Sequence, residues 1–343
     1  MTPLLFCLAC LSPSTADESE RLNAFNRHWQ KAQQAAAESR YDQAATSYEK
    51  ILEIFPFEPT THYKLAGCRA RQGEIDKALA ALNQAITFGW ADPQKLQQDE
   101  DFAQLRQLQR FKQLVSDAAN CRKELFVLYA GKGVDPKKPA SLLVLLHGLG
   151  AGPRSEVPYW KHAADQLNLV IVAPRGVNEV NPSLCGWQRT GAKNSSALDY
   201  FDLPAASKRV EEAITLAKNR YAIAPDRVTL AGYSQGAGVA LHLLGENPQR
   251  YCGAVSVSSL CQMRGTTYWN AVAEKKPVRV AMLIGQLDGL KGRNLTMSLQ
   301  LSSAGLPTKE ELWEGTGHEY PANYEEQLTS ALKFVLEPGQ QKK

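Results

Sequence analysis

Ser234 stands in the run Val228-Thr-Leu-Ala-Gly-Tyr-Ser-Gln-Gly-Ala-Gly-Val-Ala240, framed by Gly232 and Gly236. An apolar, β-branched-rich stretch leads into Gly232, and a helix-like apolar pattern follows through Leu244. A Gly-x-Ser-x-Gly segment between a strand and a helix holds its serine on a tight turn, where the hydroxyl is exposed for nucleophilic attack. Side chains at Gly232 and Gly236 would collide with the adjoining strand and helix. Such a serine needs a base, and the base needs a carboxylate to orient it. Two histidines follow Ser234. His242 lies two turns along the same expected helix and is carried away from the hydroxyl. His318, in the glycine-rich loop Glu-Gly-Thr-Gly-His-Glu-Tyr-Pro, is the base expected here. Asp288 is the only aspartate after Ser234 and sits just past an expected strand, so it is read as the orienting acid. Glu314 is the weaker candidate, too close in sequence to His318 to approach it from another loop.

Attack on a carbonyl also requires N–H donors for the oxygen that becomes negative. The amide of Gln235, directly after the serine, is one expected donor. The second is assigned to Leu149, in Leu142-Leu-Val-Leu-Leu-His-Gly-Leu-Gly-Ala-Gly152, where a buried strand runs into three glycines. The alternative reading of that loop is a phosphate cradle, but no Gly-Lys-Ser/Thr follows it.

These groups need a scaffold that brings strand ends together. From Leu125 onward the pattern alternates between strands and helices. Strands are expected at Leu125–Tyr129, Leu142–Leu146, Val170–Pro174, Val228–Ala231, Gly253–Val257, Val278–Ile284 and Thr308–Leu312. Helices are expected near Trp160–Leu167, Ala205–Asn219, Ala237–Leu244, Leu295–Ala304 and Tyr324–Leu336. Strands joined by crossover helices imply a mostly parallel sheet with its site at the carboxyl ends of the strands. The segment Arg175–Asp202 carries few helix or strand signals and is read as a substrate-lining loop, with Trp187 as its contact residue.

Taken together, Leu-His-Gly-Leu-Gly, Gly-Tyr-Ser-Gln-Gly, Gly-x-x-Asp and Gly-x-Gly-His resemble the α/β-hydrolase superfamily. The resemblance is to its phospholipase/carboxylesterase branch and to secreted esterases of the feruloyl-esterase and polyhydroxybutyrate-depolymerase type, over about Lys123 to Glu337. It implies Ser234 as nucleophile, His318 as base, Asp288 as its partner, and the Leu149 and Gln235 amides as oxyanion donors. One departure is Ala151, where the branch often has Asp.

The chain before this region is different in kind. Between Phe25 and Trp90, Tyr41-Asp42 recurs as Ile75-Asp76, Ala44 as Ala78, Tyr48 as Leu82 and Ile51 as Ala85, each 34 residues on. That is the tetratricopeptide period, with two antiparallel helices per unit. Residues 22–121 are therefore expected to form an all-α domain, and residues 122–338 the α/β-hydrolase domain. Residues 1–16 hold a short apolar run, Leu4 to Leu11, and end at Ser14-x-Ala16, which reads as a secretory signal lacking a basic start. A secreted or periplasmic location follows from that reading.

With 343 residues and 44% apolar content the chain has material for two domains. Its net charge of +4 is unclustered, so no nucleic-acid site is read from it. No apolar run is long enough to span a bilayer. Five of the seven cysteines lie after residue 16, an odd number that argues against a disulfide framework. One bridge, Cys185 to Cys261, is open, since both fall on loops at the expected active-site end. No His/Cys group has zinc spacing, so no metal is expected. The function expected is a cofactor-free serine hydrolase that cleaves small-molecule or polymer-linked carboxylic esters through an acyl-enzyme. The alternatives are a serine peptidase, and a non-catalytic scaffold that binds a protein partner through its repeats.

Overall fold

A computed structural model describes residues 19–181, 184–192 and 199–337. The expected signal, residues 1–16, lies outside the described residues. The described chain divides into two compact units, with the change between residues 124 and 125.

The first unit is helical throughout: α1 (Glu20–Ala37), α2 (Tyr41–Ile54), α3 (Pro59–Arg71), α4 (Ile75–Thr87), α5 (Pro93–Gln98), a 3₁₀ turn (Glu100–Leu105) and α6 (Gln109–Lys123). Local chemistry starts several of these. The Ser19 hydroxyl accepts the Leu22 amide at the head of α1, and Asp92 accepts the Lys95 amide at the head of α5. The 34-residue period is visible in the turns as well as in the helices. Ser39 and Gly73, 34 apart, both have positive φ, and each is followed by an amide that reaches back five residues, Arg40 to Ala35 O and Glu74 to Arg69 O. The repeated positions Ala44, Ala78, Tyr48, Leu82, Ile51 and Ala85 are all buried. Alanine at positions 44 and 78 leaves room for close helix approach.

The second unit is built on a seven-stranded sheet. Its strands are β1 (Phe126–Ala130), β2 (Ala140–Leu146), β3 (Leu169–Pro174), β6 (Ile223–Tyr233), β7 (Gly253–Val257), β8 (Arg279–Gly285) and β9 (Thr308–Trp313), in the order β1-β3-β2-β6-β7-β8-β9. Only the β1–β3 pair is antiparallel. Flanking helices are α7 (Val157–Leu167), α8 (Leu203–Lys218), α9 (Gln235–Glu246), α10 (Thr266–Lys275), α11 (Lys291–Ser303) and α12 (Tyr324–Leu336).

Strand β2 shows why this sequence makes a sheet covered on both faces. All seven of its residues are buried. Leu142, Val144 and Leu146 point into the core that holds Val210 and Ile214 of α8 and Leu244 of α9. Leu143 and Leu145 point the other way, into the core with Trp160 of α7 and Leu328 and Leu332 of α12. A central parallel strand has no solvent face, so its sequence is continuously apolar instead of alternating.

The second unit also holds elements that the sequence analysis does not expect. The segment read as a long loop contains a small hairpin, β4 (Asn178–Asn181) and β5 (Leu184–Gly186). Its residues 182–183 and 193–198 lie outside the described residues. Helix α10 is a further element that the sequence analysis does not expect. Among the described residues no helix is long and apolar enough to cross a membrane.

Candidate active site

The turn between β6 and α9 is strained as its sequence demands. Ser234 has φ 52° and ψ −114°, a conformation that side chains rarely adopt. It is held there from both sides: its N–H donates to Val257 O at 2.9 Å, and its C=O accepts the Leu260 amide at 2.9 Å. The flanking glycines are steric necessities. A Cβ on Gly232 would run into the Gly236 and Ala237 backbone, and one on Gly236 would run into the carbonyls of Leu146 and His147.

Three loops converge on this turn. Asp288 follows β8, and its own backbone fixes its carboxylate, the Leu290 amide donating to Oδ1 at 2.8 Å. The other oxygen, Oδ2, stands 2.9 Å from His318 Nδ1. His318 Nε2 stands 2.9 Å from Ser234 Oγ. All three side chains are about 5% exposed or less. The Asp288 and His318 loops are also tied to each other. Leu287 N–H donates to Thr316 O at 2.8 Å, and Gly315 N–H donates to the Gln286 side chain at 3.0 Å. Burial alone would raise the Asp288 carboxyl, but the His318 imidazole beside it holds it below the usual carboxylate range. With Nδ1–H donated to Asp288, Nε2 keeps its lone pair toward the serine hydroxyl, the tautomer a base requires. Glu314 is exposed and takes no part. His242 is occupied elsewhere: Arg264 donates to its Nδ1 at 2.8 Å, and its Nε2 meets Gln262 Oε1.

The loop after β2 lies against the serine, since a Cβ on Gly148 would sit 3.6 Å from Ser234 Cβ. Its amides are sorted by their partners. Gly148 N–H donates to the Glu156 carboxylate, and Gly150 N–H donates to Cys185 O at 2.9 Å. Between them the Leu149 amide has no partner among the described residues. His147 determines where that amide points. Gly176 N–H donates to His147 Nε2 at 2.8 Å, so the ring proton is on Nδ1, which donates to Gly148 O at 2.7 Å. Gly148 C=O and Leu149 N–H belong to one trans peptide and point in opposite directions. The ring stays neutral because burial, with Arg175 nearby, lowers His147 to about 4. Gln235, the other expected donor, opens α9, where the first amides of a helix have no intrahelical acceptor. Its side chain is a clamp: Oε1 accepts Trp187 N–H at 2.8 Å, and Nε2 donates to Gln188 Oε1 and Tyr200 OH at 2.9 and 3.2 Å.

The β-strand order, the strained serine between β6 and α9, and acid and histidine after β8 and β9 decide the fold of this unit. It has the α/β-hydrolase fold. Residues 134–304 match the phospholipase/carboxylesterase family, and residues 35–88 match the tetratricopeptide repeat family. The family match supports a hydrolase. No curated protein matches the chain. Among solved structures, esterase PE8 is 21% identical over 61% of this chain and 98% of its own, with a TM-score of 0.50. The Bacillus cereus carboxylesterase is 23% identical over 61% of this chain and 92% of its own, TM-score 0.47. A ferulic acid esterase is 18% identical over 62% of this chain and 91% of its own, TM-score 0.47.

One sequence expectation for the hydrolase domain needs correction, and the Cys185–Cys261 bridge left open above is not formed. Trp187 does not line a substrate surface: its ring is fully buried and its indole N–H donates to His147 O at 2.9 Å. It is a strut beneath the Leu149 loop. Cys185 and Cys261 are both free thiols. Cys185 Sγ lies 3.4 Å from His147 Nε2 and Cys261 Sγ 3.9 Å from Arg293 O, so each is engaged within its own neighbourhood. Residues that sequence reasoning did not single out are the His147 ring, the Gln235 amide group and Glu156. The Leu-His-Gly motif carried a signal for the first. The other two act through contacts with residues distant in the chain.

Proposed function

We propose that the protein is a serine hydrolase of carboxylic esters. His318 takes the proton as the Ser234 hydroxyl attacks the ester carbonyl, and Asp288 stabilises the imidazolium that forms. The Leu149 and Gln235 amides receive the oxyanion of the tetrahedral intermediate. His318 then returns its proton to the departing alcohol, leaving an acyl-Ser234 that water, activated by the same histidine, hydrolyses to the acid. The reaction so written uses only this chain's own groups and water. The observation that carries the reading is the unbroken run of 2.9 Å contacts from Asp288 through His318 to a serine held at positive φ. The substrates in view are small-molecule or polymer-linked esters, with the helical repeats as a surface for a protein contact.

The test is labelling by a fluorophosphonate probe, followed by turnover of p-nitrophenyl esters of increasing acyl length. Wild type is expected to label and turn over, and Ser234→Ala to do neither while keeping its circular dichroism spectrum. Wild-type turnover in Ser234→Ala would overturn the assignment.

A further inference from the structure

Glu156 is a carboxylate that the reaction above does not use. It sits at the entrance to α7, is 5% exposed, and makes two contacts that belong to different parts of the site. It accepts the Gly148 amide, one residue before Leu149. It also accepts the Tyr320 hydroxyl at 2.7 Å, two residues after His318. Tyr320 is itself restrained: Trp160 Nε1–H donates to its oxygen at 3.2 Å, and its ring stacks on Tyr159 and Tyr233, with centroids 4.3 and 5.3 Å apart. Tyr233 precedes Ser234 and donates its hydroxyl to His318 O at 2.6 Å. The loop holding the Leu149 amide, the turn holding Ser234 and the loop holding His318 are thus joined through one buried carboxylate.

We propose that Glu156 is a positioning residue of this site, clamping the Leu149 loop to the His318 loop so that the oxyanion donors and the base keep a common geometry. The proposal rests on the serine-hydrolase reading. A peptide between glycines has little intrinsic stiffness. A donor contributes to catalysis only if it is aimed at the place where the oxygen becomes negative. His147 sets the direction of the Gly148–Leu149 peptide, and Glu156 sets the position of the peptide before it. An apolar residue in place of Glu156 would leave the Gly148 amide and the Tyr320 hydroxyl buried without an acceptor. Gln at 156 keeps an oxygen for Gly148 N–H and presents an amide to the rotatable Tyr320 hydroxyl, which can accept.

The experiment compares the full-length wild type, Ser234→Ala, Glu156→Ala, Glu156→Gln and Tyr320→Phe. It measures kcat and KM on p-nitrophenyl acetate and inhibition by a trifluoromethyl ketone, whose adduct carries the oxyanion. Glu156→Ala is expected to lower kcat by roughly 10- to 100-fold with KM within about twofold, and to weaken the ketone by the same factor, because the lost contact acts on the transition state. Glu156→Gln should recover kcat to within about threefold of wild type. Tyr320→Phe, which keeps the ring stack, should fall between them. An unchanged kcat in Glu156→Ala, a change confined to KM, or a Gln variant as impaired as the Ala variant overturns the clamp. Should Glu156→Ala not fold, Tyr320→Phe decides, and a wild-type kcat there overturns it. Turnover surviving in Ser234→Ala overturns the serine-hydrolase reading and the clamp with it. An inactive Ser234→Ala beside a fully active Glu156→Ala overturns the clamp alone.

Discussion

Asp288 and Glu314 show how little separates a working carboxylate from an idle one at the residue scale. Both lie within 30 residues of His318 on loops after strands. Asp288 is buried, carries an amide on one oxygen and faces His318 with the other, whereas Glu314 is exposed. Asp288→Asn is therefore expected to reduce kcat by about 10²–10⁴, because an amide no longer favours the tautomer with its proton on Nδ1. Glu314→Gln should stay within about twofold of wild type, as surface substitutions away from such features generally do. Steady-state kinetics of the two variants checks this, and the opposite pattern would transfer the acid role to Glu314.

At the scale of elements, the site depends on how closely β6, α9 and the end of β2 approach each other. Gly236, in the first turn of α9, lies directly against the carbonyls of Leu146 and His147 at the end of β2, so the helix can enter only if that position has no side chain. Gly236→Ala must push the helix off the strand or tilt the serine turn. It is expected to cost roughly 1–3 kcal/mol of stability, in the range of overpacked core positions, and to lower kcat. Gly292 in α11 is the comparison, since a Cβ there meets nothing within 4 Å. Gly292→Ala should be neutral or stabilise by up to about 1 kcal/mol. Urea unfolding of both variants tests the contrast, and equal effects would mean that packing at the turn is not what requires glycine at 236.

For the molecule as a whole, buried titratable groups set the pH range of stability. Burial lowers both His147 and His242 to about 4, with Arg175 and Arg264 respectively adding repulsion. In the unfolded chain each binds a proton near pH 6.5. Their contribution is thus fully present above about 6.5 and is lost as pH falls toward 4, by up to ~3 kcal/mol each. Glu156 runs the other way. Burial raises it to about 7, against the opposing Tyr320 hydroxyl and Gly148 amide. Its contribution is full below about 4.3 and is lost as pH rises through about 7, again by up to ~3 kcal/mol. Thermal unfolding of wild type should show a midpoint that drops from pH 6.5 to pH 4. The stability of Glu156→Gln relative to wild type should increase between pH 4.5 and pH 8. A difference that does not change with pH would show that Glu156 does not titrate in the folded protein across this range.

Much of this protein is legible in its residues one after another. The order Ser234, Asp288, His318, each after a β-branched or apolar strand, selects the groups that come within 2.9 Å of one another. The 34-residue recurrence of Ala44 and Ala78 selects the helical pairs, because close helix approach needs small residues at a fixed spacing. Local pattern suffices for these because steric limits and side-chain periodicity act over a few residues. Trp187 marks the boundary: nothing local says whether an aromatic in a polar segment meets a substrate or a neighbouring carbonyl, and the fold brings it to His147 O. The cysteines follow the same rule, since two thiols on loops at one end of a sheet need a specific Cα separation to bridge. Glu156 is the extreme case. Its partners lie 8 residues before it and 164 after it, and burial and hydrogen bonding across that separation are properties of the packed chain alone.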